Sequence, residues 1–179
     1  IAIGLMTSVG ALAAPLNGDI DFSGSGTFNN TGAADATSIT FVGVTVGAAA
    51  GTGDYSGVTV GAAATFNVLN FNTVGFTGNL AINDLWTVVD SGTTFTFDLE
   101  RITVNSVTGS VLVIDGWGTA DSSDNNQDPW TAFFSLSTTG NGTSITFSST
   151  TEVPDSGTTT ALLGLSMLGL AGAARRLRK

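Results

Sequence analysis

Between residues 15 and 152 apolar and polar positions alternate with the two-residue period of a strand, and no helical period intervenes. Asp19-Ile20-Asp21-Phe22 places Ile20 and Phe22 on one face and leaves Asp19 and Asp21 on an outward, solvated one. The same rhythm predicts strands over 38–46, 57–60, 65–72, 85–89, 93–99, 102–107, 110–119, 130–137 and 143–149. Turn formers separate nearly all of them: Gly51-Thr52-Gly53-Asp54, Gly78-Asn79, Asp90-Ser91-Gly92, Thr108-Gly109 and Gly140-Asn141-Gly142. Many short strands with such punctuation predict an all-β body, an antiparallel β-sandwich of jelly-roll type.

The alternation breaks twice. Phe95, Phe97 and Leu99 share one face, whereas Ile102 and Val104 fall on the other parity, so a bulge or tight turn is expected near Glu100-Arg101. Phe66 and Val68 likewise give way to Leu69 and Phe71, which predicts a second bulge near Val68-Leu69. The octet GVTVGAAA occurs at 43–50 and again at 57–64. It is too short for a solenoid. It reads either as a duplicated strand and turn or as an uncharged, valine-rich strand that pairs with itself.

At both ends the pattern changes. Residues 1–13, IAIGLMTSVGALA, are apolar and finish on small residues. They match the apolar and cleavage regions of a secretory signal peptide, with Ala11 and Ala13 as the small residues before the cut. The stretch lacks an initiator methionine and a basic start, so it reads as truncated. At the other end, residues 158–174 are uncharged and mostly apolar, and Arg175, Arg176, Arg178 and Lys179 follow at once. As a helix that run would span about 26 Å, at the short end of what crosses a hydrocarbon core of about 30 Å. Cations flanking a membrane segment stay on the cytoplasmic side, so the body is expected outside. Just before the run comes Val153-Pro154-Asp155-Ser156-Gly157, which proline and glycine keep extended or turned.

This order of short motif, apolar run and basic end resembles the PEP-CTERM type of bacterial sorting signal, in its VPDSG/VPDGG variant. Asp155 stands where the common form has Glu, and Ser156 where it has a second Pro. The resemblance implies processing by an exosortase-type enzyme and a transient stay in the inner membrane of a Gram-negative-type bacterium. It also implies a final place on the cell surface or in an exopolysaccharide or biofilm matrix. The chain then divides into a signal peptide at 1–13, a β-domain at 14–152 and a sorting signal at 153–179. GDYSGV at 53–58, the TFTFDL strand within 93–99 and GWGT at 116–119 are similar to uncharacterised domains found upstream of such tails, which brings no activity.

Composition narrows the function classes. Hydrophobic residues make up 42%, enough for a core, while charged residues reach only 11%. The net charge is −9, and Arg101 is the single base between residues 15 and 152. Such an acidic body repels nucleic acid and anionic lipid and suits cations or neutral glycans. There is no cysteine and no histidine, so disulfides are excluded and the many serines and threonines lack a histidine base. No phosphate loop or zinc set is present.

The loop DSSDNNQD at 121–128 offers hard oxygen ligands in Asp121, Asp124 and Asp128, as calcium requires, but lacks the EF-hand's Gly and Glu positions. A solvated hairpin loop is the plainer reading. Trp117 and Trp130 flank it and offer flat faces to sugar rings, although Trp130 shares parity with Ala132, Phe134 and Leu136, which argues for core packing. The expectation is therefore a non-enzymatic surface or matrix protein without cofactor. The alternative is a carbohydrate- or calcium-binding module of the matrix.

Overall fold

A computed structural model describes residues 13–47, 51–124, 126–140 and 144–153. Residues 1–12, Ala11 among them, and 154–179 lie outside the described residues, and with them most of the expected signal peptide, the expected membrane run and the basic cluster. The strands are β1 (Ala14–Pro15), β2 (Gly18–Phe28), β3 (Ser38–Val46), β4 (Ala64–Phe66), β5 (Leu69–Asn70), β6 (Gly78–Asp90), β7 (Thr93–Thr108), β8 (Val111–Ser122), β9 (Gln127–Asp128), β10 (Trp130–Thr139) and β11 (Ser144–Val153). A 3₁₀ turn at Gly53–Tyr55 is the only helical piece among the described residues.

The body is all-β and antiparallel, as the alternation requires. It is built from one curled nine-stranded sheet, in the order β4-β6-β7-β8-β10-β11-β2-β3-β5, where a sandwich of two sheets was expected. β1 pairs with β9 in a separate, parallel two-stranded piece. From β6 to β11 the chain runs up and down between neighbours. Asp90 pairs with Thr93 across Ser91 and Gly92, whose φ values of 52° and 88° mark the primed turn that suits a right-twisted hairpin.

One segment, 61–71, brings the two edges of the sheet together. Gly61 N–H donates to the Val46 carbonyl at 3.0 Å, and Val46 N–H to the Ala62 carbonyl at 2.9 Å. The chain then crosses to the other edge, where Ala64–Phe66 pairs with Val88, Thr87 and Trp86 and Asn67 N–H donates to the Leu85 carbonyl. It crosses back as Leu69 and Asn70 pair with Ile39 and Ser38, and Phe71 N–H donates to the Thr37 carbonyl. A single stitched segment thus satisfies backbone groups that an open sheet would leave bare.

Several expected boundaries move. Residues 57–60 form turns after the 3₁₀ piece, not a strand, and the expected turn at Gly78-Asn79 is the start of β6. The expected 65–72 strand is two short ones, and its break at 67–68 is where the chain changes edge. The strands expected at 93–99 and 102–107 are one strand, β7, whose register against β8 shifts between Leu99 and Arg101 and between Ile102 and Val104. The bulge read from parity at Glu100-Arg101 is therefore present.

Inward-facing residues fill the interior. The rings of Phe22, Trp86, Phe97 and Phe134 form a chain with centroid separations of 5.0, 6.1 and 5.8 Å. All four are buried, and each removes roughly 150–250 Å² from water. Trp86 spans the interior: its Nε1–H on β6 donates to Thr151 Oγ1 on β11 at 2.8 Å. Gly118, also inward-facing, makes room for this packing. A Cβ there would lie 1.8 Å from the Asp98 carbonyl oxygen and 2.8 Å from the Phe97 ring.

Candidate functional site

The root of the tail is built from a central strand. β11 lies between β10 and β2, with Thr151 opposite Phe134 on one side and Ile20 on the other. Thr151 is buried, and its hydroxyl receives the Trp86 indole. The exposed Glu152 comes next, and Val153, opposite Gly18, makes the last pair. Pro154, next in the sequence, has no N–H to donate to a ladder. The remaining motif residues, Pro154, Asp155, Ser156 and Gly157, lie outside the described residues, as does the 158–174 run. Among the described residues no helix is long and apolar enough to cross a membrane.

Residues 152–177 match the profile of the VPDSG-CTERM motif. The tail is a PEP-CTERM-type sorting signal. Such a signal implies an exported, surface-associated protein processed by an exosortase-type enzyme. No curated protein and no solved structure matches the chain.

At the N-terminal end, Ala13 precedes a stretch held by the body. Ala14 N–H donates to the Asn126 carbonyl at 3.1 Å and Leu16 N–H to the Asp128 carbonyl at 3.0 Å. Leu16 itself is fully buried. A cut after Ala13 would thus leave a first residue already docked on the acidic loop.

In that loop the carboxylates of Asp121 and Asp124 are engaged by nearby N–H groups. Asp124 Oδ1 accepts from the backbone and side-chain N–H groups of Asn126 at 3.0 and 2.8 Å, and Asp121 Oδ1 from Ser122 N–H at 2.7 Å. Asp128 is exposed in β9. Among the described residues no three acidic groups gather closely enough to hold a metal. Asp19 and Asp21, expected on a free solvated face, each receive a threonine hydroxyl, from Thr52 and Thr150 respectively.

The two tryptophans flanking the loop do not form one platform. Trp117 faces outward, 40% exposed, opposite Phe133 in the register; Trp130 keeps the inward parity, opposite Ala120. Trp130 is nevertheless 37% exposed, because it is the first residue of β10 and sits at the rim, so the expectation of core packing fails there.

A groove that sequence reasoning did not identify lies on the outer face beside Trp117. It has a volume of about 470 Å³ and is lined by Asn79, Leu80, Ala81, Glu100, Arg101 and Trp117. The β7 bulge makes it: Glu100 and Arg101 are consecutive and both exposed, between the buried Leu99 and Ile102. The parity break was the available signal, but nothing in the sequence placed Trp117 against it.

Inside one end of the curled sheet, Tyr55 is fully buried against Phe95 and Trp86, and among the described residues its hydroxyl has no hydrogen-bond partner. Burial, helped by the neighbouring Asp54 charge, raises its pKa well above the ordinary phenol value.

Proposed function

We propose that the chain is a non-enzymatic structural protein of a bacterial envelope or extracellular matrix, delivered there by its tail. The observation that carries this reading is the VPDSG-CTERM match at 152–177, continuous with a central strand of the body. In this reading residues 158–174 cross the inner membrane with Arg175, Arg176, Arg178 and Lys179 on the cytoplasmic side. The exosortase-type enzyme then acts near Val153–Gly157, and the β-body remains outside in contact with exopolysaccharide. The body's lack of histidine, cysteine and lysine favours a passive role, since Ser–His, Cys–His and Ser–Lys pairs cannot be assembled from it. The cavity between Asp54, Asp90 and Asp124 fits the same view. Asp90 Oδ2 is taken by Thr59, through both its N–H and its hydroxyl, and Asp54 Oδ2 by Asn17 N–H.

The test is removal of residues 154–179 followed by surface protease accessibility in intact cells. Display should be lost while the chain still accumulates. Unchanged display of the shortened chain would end this reading.

A further inference from the structure

We propose that the outer groove beside Trp117 is a binding site for a neutral saccharide chain, one pyranose ring lying on the exposed indole face. This deepens the matrix-protein reading above and rests on it for its biological setting, though not for its physical basis.

The side chains sit in one cross-strand row. Asn79 on β6 pairs with Arg101 on β7, Arg101 with Trp117 on β8, Trp117 with Phe133 on β10, and Phe133 with Glu152 on β11. Neighbouring strands lie about 4.8 Å apart, so these groups present a continuous strip rather than isolated side chains. The row continues through Glu152, the residue before the sorting motif, to Asp19 on β2, so a bound chain would run toward the root of the tail.

Trp117 is held for this task. Phe133 meets it edge-on, with centroids 5.2 Å apart and planes at 63°, which fixes the indole while leaving it 40% exposed. An exposed aromatic costs free energy in water, and a sugar's apolar C–H face is one surface that recovers it. Around the ring stand three planar polar groups. Thr119 Oγ1 donates to Glu100 Oε1 at 2.7 Å, which orients that carboxylate and leaves its other oxygen to accept. Among the described residues the Arg101 guanidinium has no carboxylate partner, and the Asn79 amide has no hydrogen bond. A carboxylate, a guanidinium and an amide supply fixed donors and acceptors that suit adjacent hydroxyl pairs.

Charge decides between saccharide classes. Glu100 and Arg101 offset one another, so the groove is locally neutral inside a chain of net charge −9. A polyuronate would be repelled by the surroundings, whereas a neutral glycan meets no such penalty. The volume, about 470 Å³, lies within the roughly 300–1,000 Å³ usual for small-ligand sites. Trp117, Leu80 and Ala81 give it an apolar floor beside the polar Asn79, Glu100 and Arg101, the mixed lining that a sugar's C–H face and hydroxyls match.

Affinity electrophoresis of the full chain in mild detergent tests this directly, through gels cast with a β-glucan, a mannan or polygalacturonate. At least one neutral polymer should retard the protein and polygalacturonate should not. Trp117→Ala should weaken retardation about tenfold in Kd or more, and Arg101→Gln by a smaller factor. Trp130→Ala should leave it unchanged. Trp117 and Arg101 both face outward, and a melting curve for each of the three variants separates lost binding from lost folding. If no neutral polymer retards the wild type, if only polygalacturonate does, or if the folded Trp117→Ala chain is retarded like wild type, the proposal is overturned. The assay needs no export, so its failure is distinct from failure of surface display in cells.

Discussion

The curled sheet has a wall and a seam, and they are held by different means. From β7 round to β2 every strand lies between two long partners, β6 has one in β7, and the register of β11 against β2 runs unbroken from Ser144 to Val153. At the seam, closure depends on β4 and β5, of three and two residues, both from 61–71. The wall packs an aromatic chain inward. At the seam the chain contributes Phe66, packed edge-on to Phe22 at 5.1 Å, and the buried Leu69 and Phe71. The same octet occurs on both sides of it: 43–46 of the first copy is strand, 57–60 of the second is turn, and the copies meet where Thr45 bridges Ala63. The two copies of the repeat thus touch each other inside the chain. Identical residues take different structure because one copy has β2 beside it and the other follows the 3₁₀ turn.

If the wall carries stability, its central ring should be the most costly to lose. We expect Trp86→Ala to cost about 3–5 kcal/mol, as large buried rings do, lowering the melting temperature by roughly 10 °C. A shift of only a degree or two would mean that the aromatic chain is not the keystone. Leu69→Ala, at the seam, should sit at the low end of the range for buried Leu→Ala, about 2 kcal/mol. A distinct readout accompanies it: hydrogen exchange at the Val46, Asn67 and Phe71 amides should accelerate well beyond that at Phe134. Uniform acceleration would show that wall and seam open together.

Thr151→Val tests the link between tail root and wall. Leaving the Trp86 N–H buried without an acceptor should cost about 1–3 kcal/mol, and Thr151→Ser should recover most of it. Equal stability of the valine variant would remove the bond across the interior from the account. Tyr55→Phe gives the smallest change near neutral pH. Folding holds the Tyr55 proton more tightly than the unfolded chain does. That contribution is complete below about pH 10 and declines above it, by up to roughly 1.4 kcal/mol per pH unit. The melting temperature of the wild type should therefore fall through the alkaline range, and the phenylalanine variant should fall less steeply. Parallel alkaline limbs would contradict the buried, unpartnered phenol.

Local pattern made much of this legible. Ser38–Val46 runs between the residues that its alternation marks, and the bulge at Glu100-Arg101 was visible as two apolar sets on opposite parities. The sorting signal was legible for a different reason: its parts are contiguous and need no fold to be read. The groove was not legible, because Asn79, Arg101 and Trp117 become neighbours only through register. Trp130 misled because parity reports which face a residue takes, not how near it stands to the rim.

Taken alone, the sequence determined the strand period, the inward set of Phe97, Phe134 and Ile20, the acidic charge and the address carried by residues 152–177. These are one-dimensional properties, set by spacing and composition. Only tertiary structure decided that one sheet curls where two had been expected, that 61–71 fastens its edges, and that Trp86 reaches Thr151. Those choices depend on hydrogen-bond partners distant in sequence, and alternation specifies a buried face without saying which strand will lie beside it.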